Sequence, residues 1–347
     1  MPSSTVPEIG RYRLDHTLGT GAFATVWLGH DPEFDLPVAV KVLADNWAHD
    51  ADVRERFLAE ARHLRTIRDP RIVSVHDIGT TDGGQPYFVM DLITGGTLAD
   101  FRSHPVHGRY ALTIGAECCL AVQALHDHGV LHRDIKPGNV LVDWRKEPPK
   151  VFLTDLGTAK LLAEATGYTV TTGTPAYMAP EQAHGLDGLD ERADVYSLAA
   201  MTYELVSGHQ PFQVRSPGAL LDRRLDAQPS PIAVENDLPV ALDGLLFRAL
   251  ATDREQRPRT AKDLADAFTA LAAGTGSDRS DGPDITTATM GTAMGDQRTP
   301  AFAPAAPVSN KPRVSKQLSK AWPTGPVWLV AILLFATTAA ITWLLIT

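Results

Sequence analysis

His132-Arg133-Asp134-Ile135-Lys136-Pro137-Gly138-Asn139 gathers five charged or hydrogen-bonding side chains into eight residues. The apolar spacing of Leu112, Ala116, Cys119, Leu120 and Leu125 predicts a helix from about Tyr110 to His128, stopping at Gly129. Val140-Leu141-Val142 follows the octet and predicts a strand. A short polar loop between buried elements is where a scaffold presents chemistry. Taken alone, the octet also fits an ordinary loop with a salt bridge.

Working outward, Val151-Phe152-Leu153 predicts a second strand, joined to the first by a long polar connection rich in Lys and Pro. Asp155-Leu156-Gly157 comes next, and Gly173-Thr174-Pro175-Ala176-Tyr177-Met178-Ala179-Pro180-Glu181 lies further on. Asp194, within Arg192-Ala193-Asp194-Val195-Tyr196-Ser197-Leu198, opens a strongly apolar helix, and Arg257-Pro258 follows late in the chain.

Upstream, residues 12–43 read as alternating strands. Leu18-Gly19-Thr20-Gly21-Ala22-Phe23-Ala24-Thr25-Val26 is a hairpin whose glycines let backbone amides approach phosphates closely, although a plain hairpin turn would look the same. Val38-Ala39-Val40-Lys41-Val42 is a strand with one lysine in apolar company. In the helix predicted over Asp52 to Ile67, residues Val53, Phe57, Glu60, Leu64 and Ile67 share one face. A carboxylate in the middle of a buried stripe is costly unless paired, and Lys41 is its natural partner. The bland alternative turns Glu60 to the rim. Strands are also expected over Ile72 to Ile78 and Tyr87 to Ile93, with Thr94-Gly95-Gly96 as a hinge between two lobes.

Together, over about Tyr12 to Ala272, these motifs resemble the eukaryotic-like serine/threonine protein kinases, in particular their bacterial membrane-anchored branch. The resemblance implies an α+β, two-lobed protein kinase fold. A small β-rich lobe with one key helix would span about 12–93, and a larger, mostly helical lobe about 94–272. It implies ATP and Mg²⁺ as cofactors, with Mn²⁺ as a substitute. Leu18 to Val26, Ala39, Met90, Asp91, Ile93 and Leu141 would surround the nucleotide, with Met90 behind the adenine. Lys41, oriented by Glu60, would hold phosphates, and Asn139 and Asp155 would hold the metal. Asp134 would accept the proton of a substrate hydroxyl and Lys136 would neutralise the transferring group. Glu181 would pair with Arg257. The Asp-x-Lys-x-x-Asn spacing with Thr174 matches the serine/threonine type. Arg133 would bind a phosphate carried by Thr166, Thr169, Thr171 or Thr172, since a phosphothreonine adds about −1.5 to −2 charges.

Two departures from the family pattern, Ala24 for a third glycine and Leu156 for phenylalanine, keep open an alternative from another class. That alternative is a binding module that holds nucleotide or partners without phosphotransfer. Implied partners are protein substrates, phosphothreonine-binding proteins drawn to Thr286, Thr287, Thr289, Thr292 or Thr299, and a second copy of the domain.

Composition bounds the rest. A net charge of −9 argues against a broad nucleic-acid surface. Cys118 and Cys119, the two cysteines, are adjacent in a helical pattern, which suits a reducing compartment and a buried apolar role. Residues 1–12 lack the apolar core of a signal peptide. Residues 273–325, rich in Gly, Thr, Pro, Ala and Ser, are expected to be a disordered juxtamembrane linker. Val327 to Ile346 is an uncharged run of 20 residues, long enough at ~1.5 Å per residue to cross ~30 Å of hydrocarbon. Trp322, Trp328 and Trp343 lie towards its ends, and Lys311, Arg313, Lys316 and Lys320 precede it. The expectation is a membrane span with residues 1–320 in the cytoplasm and Thr347 beyond it. The competing reading is a buried helix.

Overall fold

Strands β1 (Glu8–Ile9), β2 (Tyr12–Thr20), β3 (Ala24–Asp31), β4 (Leu36–Leu43), β5 (Val75–Thr80) and β6 (Pro86–Asp91) form one antiparallel sheet in the order β1-β2-β3-β4-β6-β5. The computed structural model describes residues 8–101, 106, 108–156, 175–183, 188–212 and 227–274. Strand β4 pairs with β3 on one edge and β6 on the other, and both its faces carry buried side chains. Alternation sends Val38, Val40 and Val42 to an outer cluster with Tyr12, Leu14, Tyr87 and Val89. Ala39 and Leu43 go to the main core, and Lys41 shares their face.

Helix α1 (Ala51–Thr66) packs beside β5 and β6. Asp50 caps it, accepting from the N–H groups of Asp52 and Val53 at 3.0 Å each. Its buried stripe is Val53, Phe57, Glu60, Ala61 and Leu64, so the face predicted from spacing is the one buried. Glu60 is 1% exposed, which excludes the rim position.

Among the described residues five further α-helices follow: α2 (Gly108–His126), α3 (Pro180–Ala183), α4 (Arg192–Ser207), α5 (Ala241–Ala249) and α6 (Ala261–Gly274). Helix α2 packs against α4 and α6 and buries Cys118 and Cys119, where desolvation pushes both thiols up. A small hairpin, β7 (Val140–Asp143) and β8 (Lys150–Leu153), lies against α2.

Two strand boundaries differ from the sequence expectation. The strand expected from Ile72 begins at Val75, because residues 71–73 are recruited by β8. Leu153 N–H donates to Arg71 C=O at 2.7 Å, and Val73 N–H donates to Leu153 C=O at 3.1 Å. The strand expected to reach Ile93 ends at Asp91, whose carboxylate accepts from Ser74 N–H and bonds the His76 ring. The glycines after it are steric necessities. An added Cβ on Gly95 would sit 1.6 Å from the Val142 carbonyl oxygen, and Gly96 has φ +80°.

Gly157, Thr166, Thr169, Thr171, Thr172, Thr174, the linker threonines, residues 275–325 of the expected linker and Val327 to Ile346 lie outside the described residues, while Ala273 and Gly274, expected in the linker, close α6. Among the described residues no helix is long and apolar enough to cross a membrane.

Arg257 and Glu181 form a two-pronged pair, Nη1–Oε1 2.7 Å and Nη2–Oε2 2.9 Å. The arginine also donates to the carbonyls of Arg192, Ala251 and Thr252, and its side chain is fully buried. Removing one partner of a buried pair strands the other, so Arg257→Ala should cost about 3–5 kcal/mol in urea unfolding. A loss under about 1 kcal/mol would mean that the pair is not holding the segment.

Candidate active site

The β2–β3 turn, β4, α1 and the loop after α2 converge on a cleft of about 330 Å³. Gly19, Thr20, Gly21, Ala22, Phe23, Ala24 and Val26 form its roof, and Lys41 and Glu60 its inner wall. Asp134, Lys136, Asn139, Asp155 and Leu156 form its floor. The four groups on which the sequence argument turned, Lys41, Asp134, Asn139 and Asp155, therefore share one cavity.

Lys41 Nζ donates to Glu60 Oε1 at 2.7 Å and to Asp155 Oδ1 at 2.6 Å. Burial disfavours its charge, but Asp155 and Glu60 outweigh that and raise its pKa, so it stays an ammonium. Burial likewise pushes the Asp155 carboxyl up, and Lys41 overrides it by charge and hydrogen bond, leaving the group below its ordinary value. Asp155 has φ 56°, a left-handed turn that aims a residue leaving β8 into the cleft.

Asp134 Oδ2 accepts from Lys136 Nζ at 2.7 Å and Asn139 Nδ2 at 3.1 Å. Asn139 Nδ2 also donates to the Asp134 carbonyl at 2.8 Å. These donations fix the amide's orientation and leave Asn139 Oδ1 as an acceptor. Asp134 Oδ1 accepts from none of the described residues. Asn139 C=O accepts from Thr154 N–H at 3.0 Å, which ties the loop to the residue before Asp155. Asn139 Oδ1 and the Asp155 carboxylate are hard oxygen donors of the type a divalent cation takes, and the ammonium beside them suits phosphate oxygens.

The other expected nucleotide contacts divide. Val26 lines the cleft, and Ala39, Met90, Ile93 and Leu141 belong to the same apolar cluster as Val26. Leu18 is exposed, Thr25 pairs with Val42 across the sheet, and the Asp91 side chain is engaged by His76. Of these, Val26 alone lines the cavity; Ala39, Met90, Ile93 and Leu141, like Leu18, Thr25 and Asp91, do not.

Sequence reasoning missed the support beneath the loop. Asp194, buried at the start of α4, accepts from His132 N–H (2.8 Å), Arg133 N–H (2.8 Å) and His126 Nε2 (2.8 Å). Burial would raise this carboxyl, and the His126 hydrogen bond leads the effects that lower it instead. A signal was present: a carboxylate in an otherwise apolar helix needs partners, the argument already applied to Glu60.

His132 is fully buried, and Asp134 N–H lies 3.3 Å from its Nδ1. Desolvation holds its imidazole below the ordinary value of 6.5, against the pull of Asp194 and Asp134. The unfolded chain therefore takes up this proton first. The stability that neutral His132 contributes is full above the unfolded value and declines as pH falls through it. Urea midpoints of the wild type should drop between about pH 7 and about pH 5 more steeply than those of His132→Phe, which lacks the titration. Parallel slopes would contradict this account.

A protein kinase domain model matches residues 12–269 of this chain. Serine/threonine-protein kinase PknB of Mycobacterium leprae is 35% identical over 271 residues, which are 75% of this chain and 43% of that protein. Serine/threonine-protein kinase PknA of Mycobacterium tuberculosis is 37% identical over 281 residues, 79% of this chain and 64% of that protein. The chain thus spans less than two thirds of the length of either relative. The crystal structure of the Mycobacterium tuberculosis PknI kinase domain superposes with a TM-score of 0.61 at 30% identity, covering 77% of this chain and 99% of that one. With the cleft, the two lobes around it and a family match over some three quarters of its length, the chain belongs to the protein kinase domain family.

Proposed function

We propose that this protein transfers the γ-phosphoryl group of ATP to serine or threonine hydroxyls of proteins. The observation that carries the proposal is the meeting of Lys41, Asp134, Asn139 and Asp155 in one cleft beneath a glycine-containing turn. Phosphoryl transfer asks a protein for positioning and charge neutralisation rather than covalent work. Lys41, held by Glu60, grips the α- and β-phosphates. Asn139 Oδ1 and Asp155 fit Mg²⁺, which supplies neutralisation of charge on the phosphate oxygens. Asp134 Oδ1 is available to accept the hydrogen of an incoming hydroxyl, and Lys136, bonded to Asp134 Oδ2, balances charge on the group in flight. The Asp-x-Lys-x-x-Asn spacing and the names of the mycobacterial relatives favour serine and threonine as acceptors.

A binding module without transfer draws only on Ala24 and Leu156. Both side chains are buried in the apolar core, where neither a third glycine nor a phenylalanine would add a polar group.

The same proposal extends to location and partners. The apolar run Val327 to Ile346, with tryptophans towards its ends and four basic residues before it, supports a tether that keeps the kinase domain on the cytoplasmic face. Thr166, Thr169, Thr171 and Thr172 are proposed sites of autophosphorylation that Arg133 would engage. The linker threonines are proposed as docking points for phosphothreonine-binding partners.

Incubated with ATP and Mg²⁺, the full chain should phosphorylate itself or a generic basic protein. Asp134→Asn should lower kcat by roughly 10²-fold or more, with little change in melting temperature. Undiminished transfer by that variant would remove Asp134 from its role. Glu60→Gln frees Lys41 from one of its two carboxylates, so kcat/KM for ATP should fall by about 10²-fold while binding of the acceptor protein is unchanged.

A further inference from the structure

Arg133 sits in the left-handed region, φ 63°, a conformation that a residue with a side chain rarely adopts. Neighbours must therefore hold it there. Its N–H donates to Asp194 Oδ1. Its C=O, which shares a peptide plane with the N–H of Asp134, accepts from Gln182 Nε2 at 3.1 Å. The other end of that amide, Oε1, accepts from Ala179 N–H at 3.1 Å, and Gln182 N–H returns a bond to Ala179 C=O at 3.0 Å. An N–H only donates and a carbonyl only accepts, so these partners fix which end of the amide faces which; a flip would set like against like. Gln182 is 9% exposed, so water does not readily replace either bond. The segment it reaches back to is itself anchored on α4. Ser197 Oγ donates to Tyr177 C=O at 2.7 Å, and the Tyr177 hydroxyl donates to the Glu204 carboxylate.

We infer that Gln182 is a positioning residue for Asp134, clamping the Arg133–Asp134 peptide plane against the anchored segment 177–182. The inference rests on the phosphotransfer reading. Rotation of that plane swings the Cα–Cβ bond of Asp134, and with it the carboxylate that must meet the acceptor hydroxyl. Gln182 touches neither Lys41 nor Asp155, so its effect falls on the transfer step and not on the grip on ATP.

The test uses full-length Gln182→Met and Gln182→Glu with ATP, Mg²⁺ and a generic basic acceptor protein. Methionine keeps the size and neither donates nor accepts. An ionised glutamate keeps the acceptor for Ala179 and turns a second oxygen towards the Arg133 carbonyl. Both variants should lose about tenfold in kcat near neutral pH, with KM for ATP unchanged. A protonated glutamic acid reproduces the donor and acceptor of glutamine, and a buried carboxyl facing a carbonyl holds its proton to higher pH. The Gln182→Glu to wild-type ratio of kcat should therefore climb as pH falls from about 8 to about 6, while the Gln182→Met ratio stays flat. The ionisable groups around this position, Glu181 engaged by Arg257, Arg133, Asp134, His132 and Asp194, are common to all three proteins and enter each ratio alike. Unchanged kcat in both variants, beside an active wild type, would overturn the inference and leave the functional reading standing. So would a joint loss of kcat, ATP affinity and melting temperature without recovery at low pH, the mark of a merely structural role. A wild type that transfers no phosphate would overturn the functional reading and this inference with it.

Discussion

The Asp194 carboxylate is the constraint on which the site depends. It is buried at the first turn of α4 and receives three hydrogen bonds, two from consecutive backbone N–H groups of the 132–139 loop and one from the His126 ring. A carboxylate so placed is stable only because donors surround it. The dependence is mutual, since the loop backbone that supplies the donors takes the left-handed turn at Arg133 to do so. The loop's shape is thus fixed from beneath, by a residue 62 and 61 positions downstream of its two backbone donors, before any ligand enters.

Above the loop a second buried charge system sets the distance between the lobes. Lys41 bridges Glu60 of α1 and Asp155 at the end of β8, joining an N-lobe helix to a C-lobe strand through one ammonium. Glu60, 1% exposed, would be expensive alone and the lysine offsets that cost, whereas the Asp155 side chain is 41% exposed and is stabilised in part by solvent. Asp155 is also the residue whose oxygens suit a metal, so the contact that organises the cleft and the contact that serves chemistry compete for the same group. A cleft built this way couples alignment of its catalytic groups to the placement of α1.

Much of this was legible in the chain because the relevant signals are local. The stripe on α1 follows from helical periodicity, and the expense of a buried carboxylate picked out Glu60 and paired it with Lys41. Asn139 lies five residues from Asp134, close enough in sequence for their hydrogen bonds to be a property of one loop. The Arg257–Glu181 pair came from family resemblance and not from spacing, since 76 residues separate the two. Strand ends were less legible. Nothing local says that residues 71–73 would be claimed by β8, or that Asp91 would turn its side chain to His76 and end β6.

What the sequence determined by itself was which face of α1 is buried and that a charged group on a buried face needs a partner, for which periodicity and burial cost suffice; the candidate site residues came from the family resemblance of its motifs. Only the tertiary structure decided which partner each charge receives when several are eligible, that Asp194 and Gln182 hold the two sides of Arg133, and that Gly95 must be glycine because Val142 lies against it. These are contacts between segments distant in the chain, set by how helices and sheet pack together, and no pattern confined to one segment encodes them.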